Sequence, residues 1–329
     1  MQFPVSLASI LKDIEGVTLA SDELESDYSA TFAELPEPAE DAKVVEGDRL
    51  TPHAVPPSDF SGFTHFSDGA QFSRPAFYER GLPGRYAFLN AAVAARRDRE
   101  VMDVMSEASA DGIYAPACKS MDAIRQATAG ELDVHDVRVG ATDGMARMAQ
   151  LVADAISAER NRLERQTCLA WLRLEEEGKL LVDGTIGQLI GAVTGPTDSV
   201  VGLVKSHRKQ YFTADTAATI LGLQEGERSS VFVVPSRREQ DSETHSWYLR
   251  LRSDPYKSPA FGLVRIEVPP VEVLSDTANE ISGWVLAERS PLSLPDLRYD
   301  RLLYPIRVVE LLLKSRHPSR QSIQSLIGV

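Results

Sequence analysis

The chain has 329 residues, 43% of them hydrophobic, enough for one large domain or two ordinary ones with a sizeable core. Its formal net charge of -13 is uneven: the first sixty residues hold 13 acids and 3 bases, which leaves 35 acids against 32 bases in the remainder. A nearly neutral body does not exclude a nucleic acid partner, and "KSHRKQ", residues 205–210, is either a candidate basic patch or a solvated face.

No apolar stretch approaches membrane-span length, and the start "MQFPVSLASILKDIEG" has neither a basic leader nor a long apolar run. Cys118 and Cys168 form no metal or disulfide spacing. Free thiols in a reducing, cytoplasmic setting without membrane contact are the expectation.

In chain order, "FPVSLASILKDIEGV" has apolar spacing suited to one short helix, able to dock on the body or on a partner. Residues 21–59, including "ELPEPAEDAKVVEGDRLTPHAVPP", read as an acidic, extended or irregular arm. "FTHFSDG" predicts a strand ending at Asp68-Gly69, and "GRYAFLNAAVAARR" a second strand, although its alanines also suit a helix. "SMDAIRQATAGELDVHDVR" reads as a helix and a loop. The clearest element is a helix over residues 142–176, where Met145, Met148, Val152, Ile156, Leu163 and Ala170 recur on one face. Asp143 is its expected cap and Gly178 its stop. "KLLVDG", "SVVGLVKS" and "SSVFVVP" read as strands, and "HSWYLRLRS" with "AFGLVRIEVPP" as an antiparallel hairpin. Helices near residues 271–288 and 304–315 close the chain. The order predicts an α/β fold with a mixed sheet.

Two apolar or aromatic runs stop at Asp-Gly, at Asp68 and at Asp183, with the long helix between them. A turn explains such a pair taken singly. Two acids at strand ends and one on the intervening helix would together offer oxygen ligands to a hard divalent cation, and glycine after each acid opens the site. Lys179 to Asp183 spans about 16 Å, which matches roughly eleven helical residues. Counting back from Glu176 lands near Glu164, with Glu159 about 7 Å further along. Glu164 joins the face of Leu163, Thr167, Cys168 and Trp171, so it is the preferred helical acid, with Glu159 the alternative. His65, three residues before Asp68, would point to the opposite face and reads as structural. No nucleophile elbow, phosphate loop or zinc spacing is present, and nothing suggests the aromatic platform of a sugar hydrolase.

The strand with Asp68-Gly69, the helical "RLERQTCLAWL", the strand "LLVDGTIG" and the following "VVGLVKS", in that order and spacing, resemble the NurA nuclease family. The resemblance implies an RNase H-like mixed sheet flanked by helices over residues 61–329, behind the acidic arm of residues 1–60. It implies that Asp68, Glu164 and Asp183 bind Mn²⁺ or Mg²⁺ and that Lys205 sits near the scissile phosphate. It also implies DNA as substrate, a homodimer, and a HerA-type hexameric ATPase partner in DNA end processing or anti-phage defence. The C-terminal pattern departs from the family. "LLYPIRVVELLLKSRHP" carries Tyr304 and Pro305, with Tyr299 the alternative tyrosine, but Glu310 stands where relatives often have a histidine or aspartate. His317 has no clear match. A catalytically weak or inactive scaffold is therefore the competing expectation.

Overall fold

A computed structural model describes residues 41–79, 82–98, 100–116, 121–122, 125, 132–140, 143–207, 209–236, 241–291 and 299–319. Their elements, in chain order, are β1 (Pro52–Ala54), β2 (Phe63–Glu79), β3 (Leu82–Arg97), β4 (Glu100–Pro116), β5 (Asp133–Val137), α1 (Met145–Leu172), β6 (Lys179–Asp183), α2 (Gly187–Gly191), β7 (Val200–Val204), α3 (Ala214–Leu221), β8 (Glu227–Ser229), β9 (Phe232–Val234), β10 (Thr244–Arg250), β11 (Leu263–Val268), α4 (Leu274–Ala287) and α5 (Tyr304–Ser315). The fold class is α/β. The chain forms two compact units: one holds the described residues up to Phe63 with Leu181–Tyr304, the other Thr64–Leu180 with the chain from Pro305 onward.

The second unit is built on a mixed sheet. β2, β3 and β4 form an antiparallel meander, and β5 adds parallel to β4. Helix α1 covers one face, packing Val152, Ile156 and Leu163 against Ala87, Leu89 and Ala91. On the other face the Asn90 amide donates to the Leu313 carbonyl of α5 at 2.9 Å. With helices on both faces, the alanine run of β3 is buried throughout, and the small side chains allow close approach. This burial selects the strand over the helix that the same alanines would suit.

Three sequence expectations are corrected here. β2 does not end at Asp68-Gly69; it continues to Glu79, because β3 pairs with it along its whole length. The cap of α1 is Gly144, without a side-chain hydrogen bond, while the Asp143 carboxylate accepts from the Gly140 amide at 2.6 Å and closes the preceding turn. The buried stripe of α1 also shifts along its length: Met145 is exposed, and the C-terminal half buries Leu163, Thr167, Cys168 and Trp171.

The other unit carries the strand order β1-β8-β10-β11-β7-β6, with β9 also on β10. The β10–β11 hairpin is antiparallel as expected. Helix α4 is fixed to this sheet by a 2.8 Å bond from the Trp247 indole to the Ser282 hydroxyl. "SSVFVVP" is not one strand but two, β8 and β9, and the break has a cause. Residues 41–54 compete for its hydrogen bonds: β1 pairs with β8, Val44 bridges Phe232, and the Glu46 carboxylate accepts from the Val231 amide at 2.9 Å.

The acidic segment is thus part of this unit from Asp41 onward, while residues 1–40 lie outside the described residues. Among the described residues, no helix is long and apolar enough to cross a membrane.

The clamp on that segment is Arg228, fully buried, which grips both Glu46 oxygens at 2.7 Å and donates to Asn279 at 2.7 Å. Burial alone would raise the Glu46 pKa, but the Arg228 bonds and the Val231 amide bring it below the usual carboxylate range. Removing one partner of such a pair leaves a charge half out of water. Arg228→Ala is expected to destabilise the protein by about 3–5 kcal/mol, read as a lower denaturation midpoint with an unchanged slope.

Candidate functional site

Strand β2 and helix α1 meet as two periodicities in register. The His65 ring packs on Trp171 at 4.9 Å, Ser67 accepts from the Cys168 thiol at 3.3 Å, and Gly69 faces Glu164. Steps of two along the strand thus match steps of three and four along a helix running the opposite way. At the third step there is room for a carboxylate only because residue 69 has no side chain. A Cβ built there would stand 2.0 Å from Glu164 Oε1 and 2.6 Å from its Cδ and Cγ. Arg160, one turn earlier on α1, brings its Nε within 3.0 Å of the same oxygen.

Asp68 pairs with Ala92, and its carboxylate accepts from the Gly69 amide at 2.8 Å. Strand alternation assigns it to the other face of β2, the face that Asn90 uses to reach α5. Asp68 and Glu164 therefore lie on opposite faces of one strand, and the structure does not bring these two carboxylates together. Glu159 lies elsewhere. Its carboxylate is gripped by Arg162 at 2.6–2.9 Å, which with His135 of β5 lowers its pKa, and its charge raises that of Tyr114 of β4.

Asp183 does end its strand. Gly184 follows with a φ of +137°, a conformation that glycine alone adopts without strain, and its amide donates to the Leu203 carbonyl of β7 at 2.9 Å. Lys205, just past β7, donates to Asp183 Oδ2 at 3.0 Å, and both side chains remain about one quarter exposed, at 24% and 27%. The Lys205 backbone is held in turn, its carbonyl accepting from Arg301 at 3.1 Å.

Two residues that the sequence reading did not single out fix this turn. Glu267 of β11 accepts from the Ile186 amide at 2.9 Å and from Arg265 at 2.6 Å. Both charged residues are buried, at 2% and 3% exposure. The available signal was their i, i+2 spacing inside the apolar "LVRIEV", which sets an arginine and a glutamate on one strand face.

The C-terminal candidates are more dispersed. Tyr304 opens α5 half-exposed, with its amide donating to the Glu288 carbonyl at 3.1 Å. Tyr299 packs edge-on against Phe261. Glu310 is bridged by Arg307 at 2.8 Å and Lys314 at 2.7 Å. His317 packs between the rings of Phe72 and Phe88, where burial and Lys314 pull its pKa down.

The donor chemistry of Asp68, Glu164 and Asp183 suits a hard divalent cation, because carboxylate oxygens are the ligands Mg²⁺ and Mn²⁺ take. The glycine cradle keeps Glu164 against β2, while Asp68 of the same strand faces the other side of the sheet. Among the described residues, no three His, Cys, Asp or Glu side chains are gathered closely enough to hold a metal.

Comparison with known families adds an independent finding. Residues 129–314 match the model of the NurA domain, a span that contains Glu164, Asp183, Lys205, Tyr304 and Glu310 but not Asp68. No curated protein matches the chain.

Gly69→Ala tests the cradle. The displaced atoms are the far end of a flexible side chain, so the melting temperature is expected to hold within a few degrees. Glu164 is expected to lose its place, and whatever activity or metal affinity depends on it should fall at least about tenfold. A Gly69→Ala protein with unchanged metal affinity and activity would show the close approach to be incidental.

Proposed function

The chain belongs to the NurA family, whose model matches 129–314, and from that premise we propose that it is a metal-dependent deoxyribonuclease. The observation that carries the reading is the pairing of Lys205 with Asp183 at 3.0 Å beside the Gly184 turn. A cation and a carboxylate stand together at an open strand end, where a phosphodiester backbone can approach.

In this reading carboxylates among Asp68, Glu164 and Asp183 supply oxygen ligands to Mn²⁺ or Mg²⁺, and Asp68 and Glu164, on opposite faces of β2, do not share one ion. A divalent cation so held would activate water and stabilise the leaving oxygen of a phosphodiester. Lys205 donates to a non-bridging phosphate oxygen, exchanging its bond to Asp183 for one that grows stronger as charge develops in the transition state. Arg160 holds the Glu164 carboxylate over Gly69. Tyr304, half-exposed at the start of α5, contributes a phenol that can hydrogen-bond to the substrate.

The reading extends to partners. A body with 35 acids and 32 bases outside its first sixty residues attracts DNA weakly by itself. Delivery by a ring-shaped translocase, a hexameric ATPase of the HerA type, removes the need for steering, and a homodimer acting in the cytoplasm completes the proposal. DNA end processing and anti-phage defence are the two settings it suits.

One observation favours a second reading. Glu310, neutralised from both sides by Arg307 and Lys314, acts as a brace within its own helix. A nuclease-like scaffold that docks on the ATPase without turnover would need no more of it than that.

The two readings separate in a cleavage assay on linear and circular duplex DNA with Mn²⁺. The nuclease reading expects cleavage by the full chain and a loss of at least about a hundredfold in Asp68→Ala and in Asp183→Ala, with melting temperatures preserved. Cleavage unaffected by both substitutions overturns the assignment of these residues. No cleavage by the unaltered chain favours the scaffold.

A further inference from the structure

The ladder between β7 and β11 ends at the pair of Val204 with Arg265, so the Lys205 carbonyl lies just beyond it. That carbonyl accepts from Arg301 Nη1 at 3.1 Å. Arg301 Nε donates to Asp300 Oδ2 at 3.0 Å, and the same oxygen accepts from the Gly262 amide at 2.8 Å. Asp300 is buried, and the Arg301 side chain is 15% exposed. The planar guanidinium thus bridges a carbonyl and a carboxylate with two separate nitrogens, a geometry that the single ammonium of a lysine does not reproduce.

The far end of this bridge is fixed at three successive residues. The Phe261 carbonyl accepts from the buried Arg250, the Gly262 carbonyl from the Leu251 amide at 2.7 Å, and the Leu263 carbonyl from His207 Nε2 at 2.9 Å. Burial, with the charges of Arg301, Arg265 and Arg250, pulls the His207 pKa down to about 4. Its ring is therefore neutral near pH 7, and Nε2 must be the donor to that carbonyl. Residues 205 and 207 are thus both tied to the start of β11, Lys205 through Arg301 and Asp300, His207 directly.

This matters because a lysine side chain is long and flexible, so the place of its ammonium depends on where its backbone stands. A misplacement of about 1 Å can cost on the order of a hundredfold in rate. We infer that Arg301 is a positioning residue: it fixes the backbone from which the Lys205 ammonium reaches Asp183 and, in the proposed reaction, the phosphate. The step to phosphate rests on the nuclease reading, whereas the hold on Lys205 does not.

Two measurements on the full chain separate these parts. Acylation of lysines, read site by site by mass spectrometry, reports how firmly the Lys205 ammonium is held and involves no DNA. Arg301→Gln is expected to speed modification of Lys205 by about threefold, as for a weakened exposed ion pair, while Lys179 and Lys314 keep their rates. Cleavage with Mn²⁺ is expected to lose at least about tenfold in kcat with KM within about twofold. In a chain that already carries Lys205→Ala, Arg301→Gln should cost nothing further, because it acts through the lysine. Unchanged Lys205 reactivity overturns the inference whatever the activity, and so does a loss of cleavage that adds in full to that of Lys205→Ala. Faster modification in a chain that cleaves no DNA supports the hold on Lys205 and counts against the nuclease reading alone. If Arg301→Gln does not fold, Asp300→Asn carries both tests with the same expected directions.

Discussion

A carboxylate removed from water must be met by donors, and Glu267 is met by Arg265 on one oxygen and by the Ile186 amide on the other. Arg265 is held in turn by the Ser246 hydroxyl at 3.0 Å and lies over the Tyr211 ring at 4.9 Å. This buried pair sets the backbone immediately after Asp183 and Gly184. The position of the candidate acid therefore depends on a charge two strands away in the order β11-β7-β6. Such a pair stabilises little in net terms against well-packed apolar side chains, but breaking it leaves one ion unmet in the interior. Its contribution here is to the place and shape of one turn.

The second unit reaches a comparable result by omission. Gly69 supplies no side chain, and the space it leaves admits a glutamate from α1. The two Asp-Gly pairs that look alike in sequence thus differ in physical meaning. At Gly184 the glycine permits a positive φ and ends a strand. At Gly69 it permits a close approach and the strand runs on.

That difference marks what local sequence could and could not show. Asp183 at a strand end was legible because three apolar residues, an acid and a glycine form a self-contained signal. The face that Glu164 shares with Leu163, Thr167, Cys168 and Trp171 was legible from helical spacing, and the match of helix to strand lengths led to Glu164, whereas the exposure of Met145 was not legible. The continuation of β2 past Gly69 was not, since its pairing is decided by β3 and not by its own residues. The middle of β4, residues 106–112, written in Ala, Ser, Gly and acids, carries little strand propensity and takes its conformation from the neighbour it pairs with. The break between β8 and β9 belongs to residues 41–54, about 180 positions earlier in the chain. Arg265 and Glu267 were visible as an i, i+2 pair, yet only the fold shows that the Ile186 amide completes their circuit.

The central proposal is that the chain binds Mn²⁺ or Mg²⁺ through carboxylates among Asp68, Glu164 and Asp183. Calorimetric titration of Mn²⁺ into the full chain tests this most directly, without reference to DNA. The account predicts saturable binding that weakens at least about tenfold in Glu164→Gln and in Asp183→Asn, with melting temperatures in the absence of metal unchanged. Identical isotherms for the unaltered chain and both variants would contradict it.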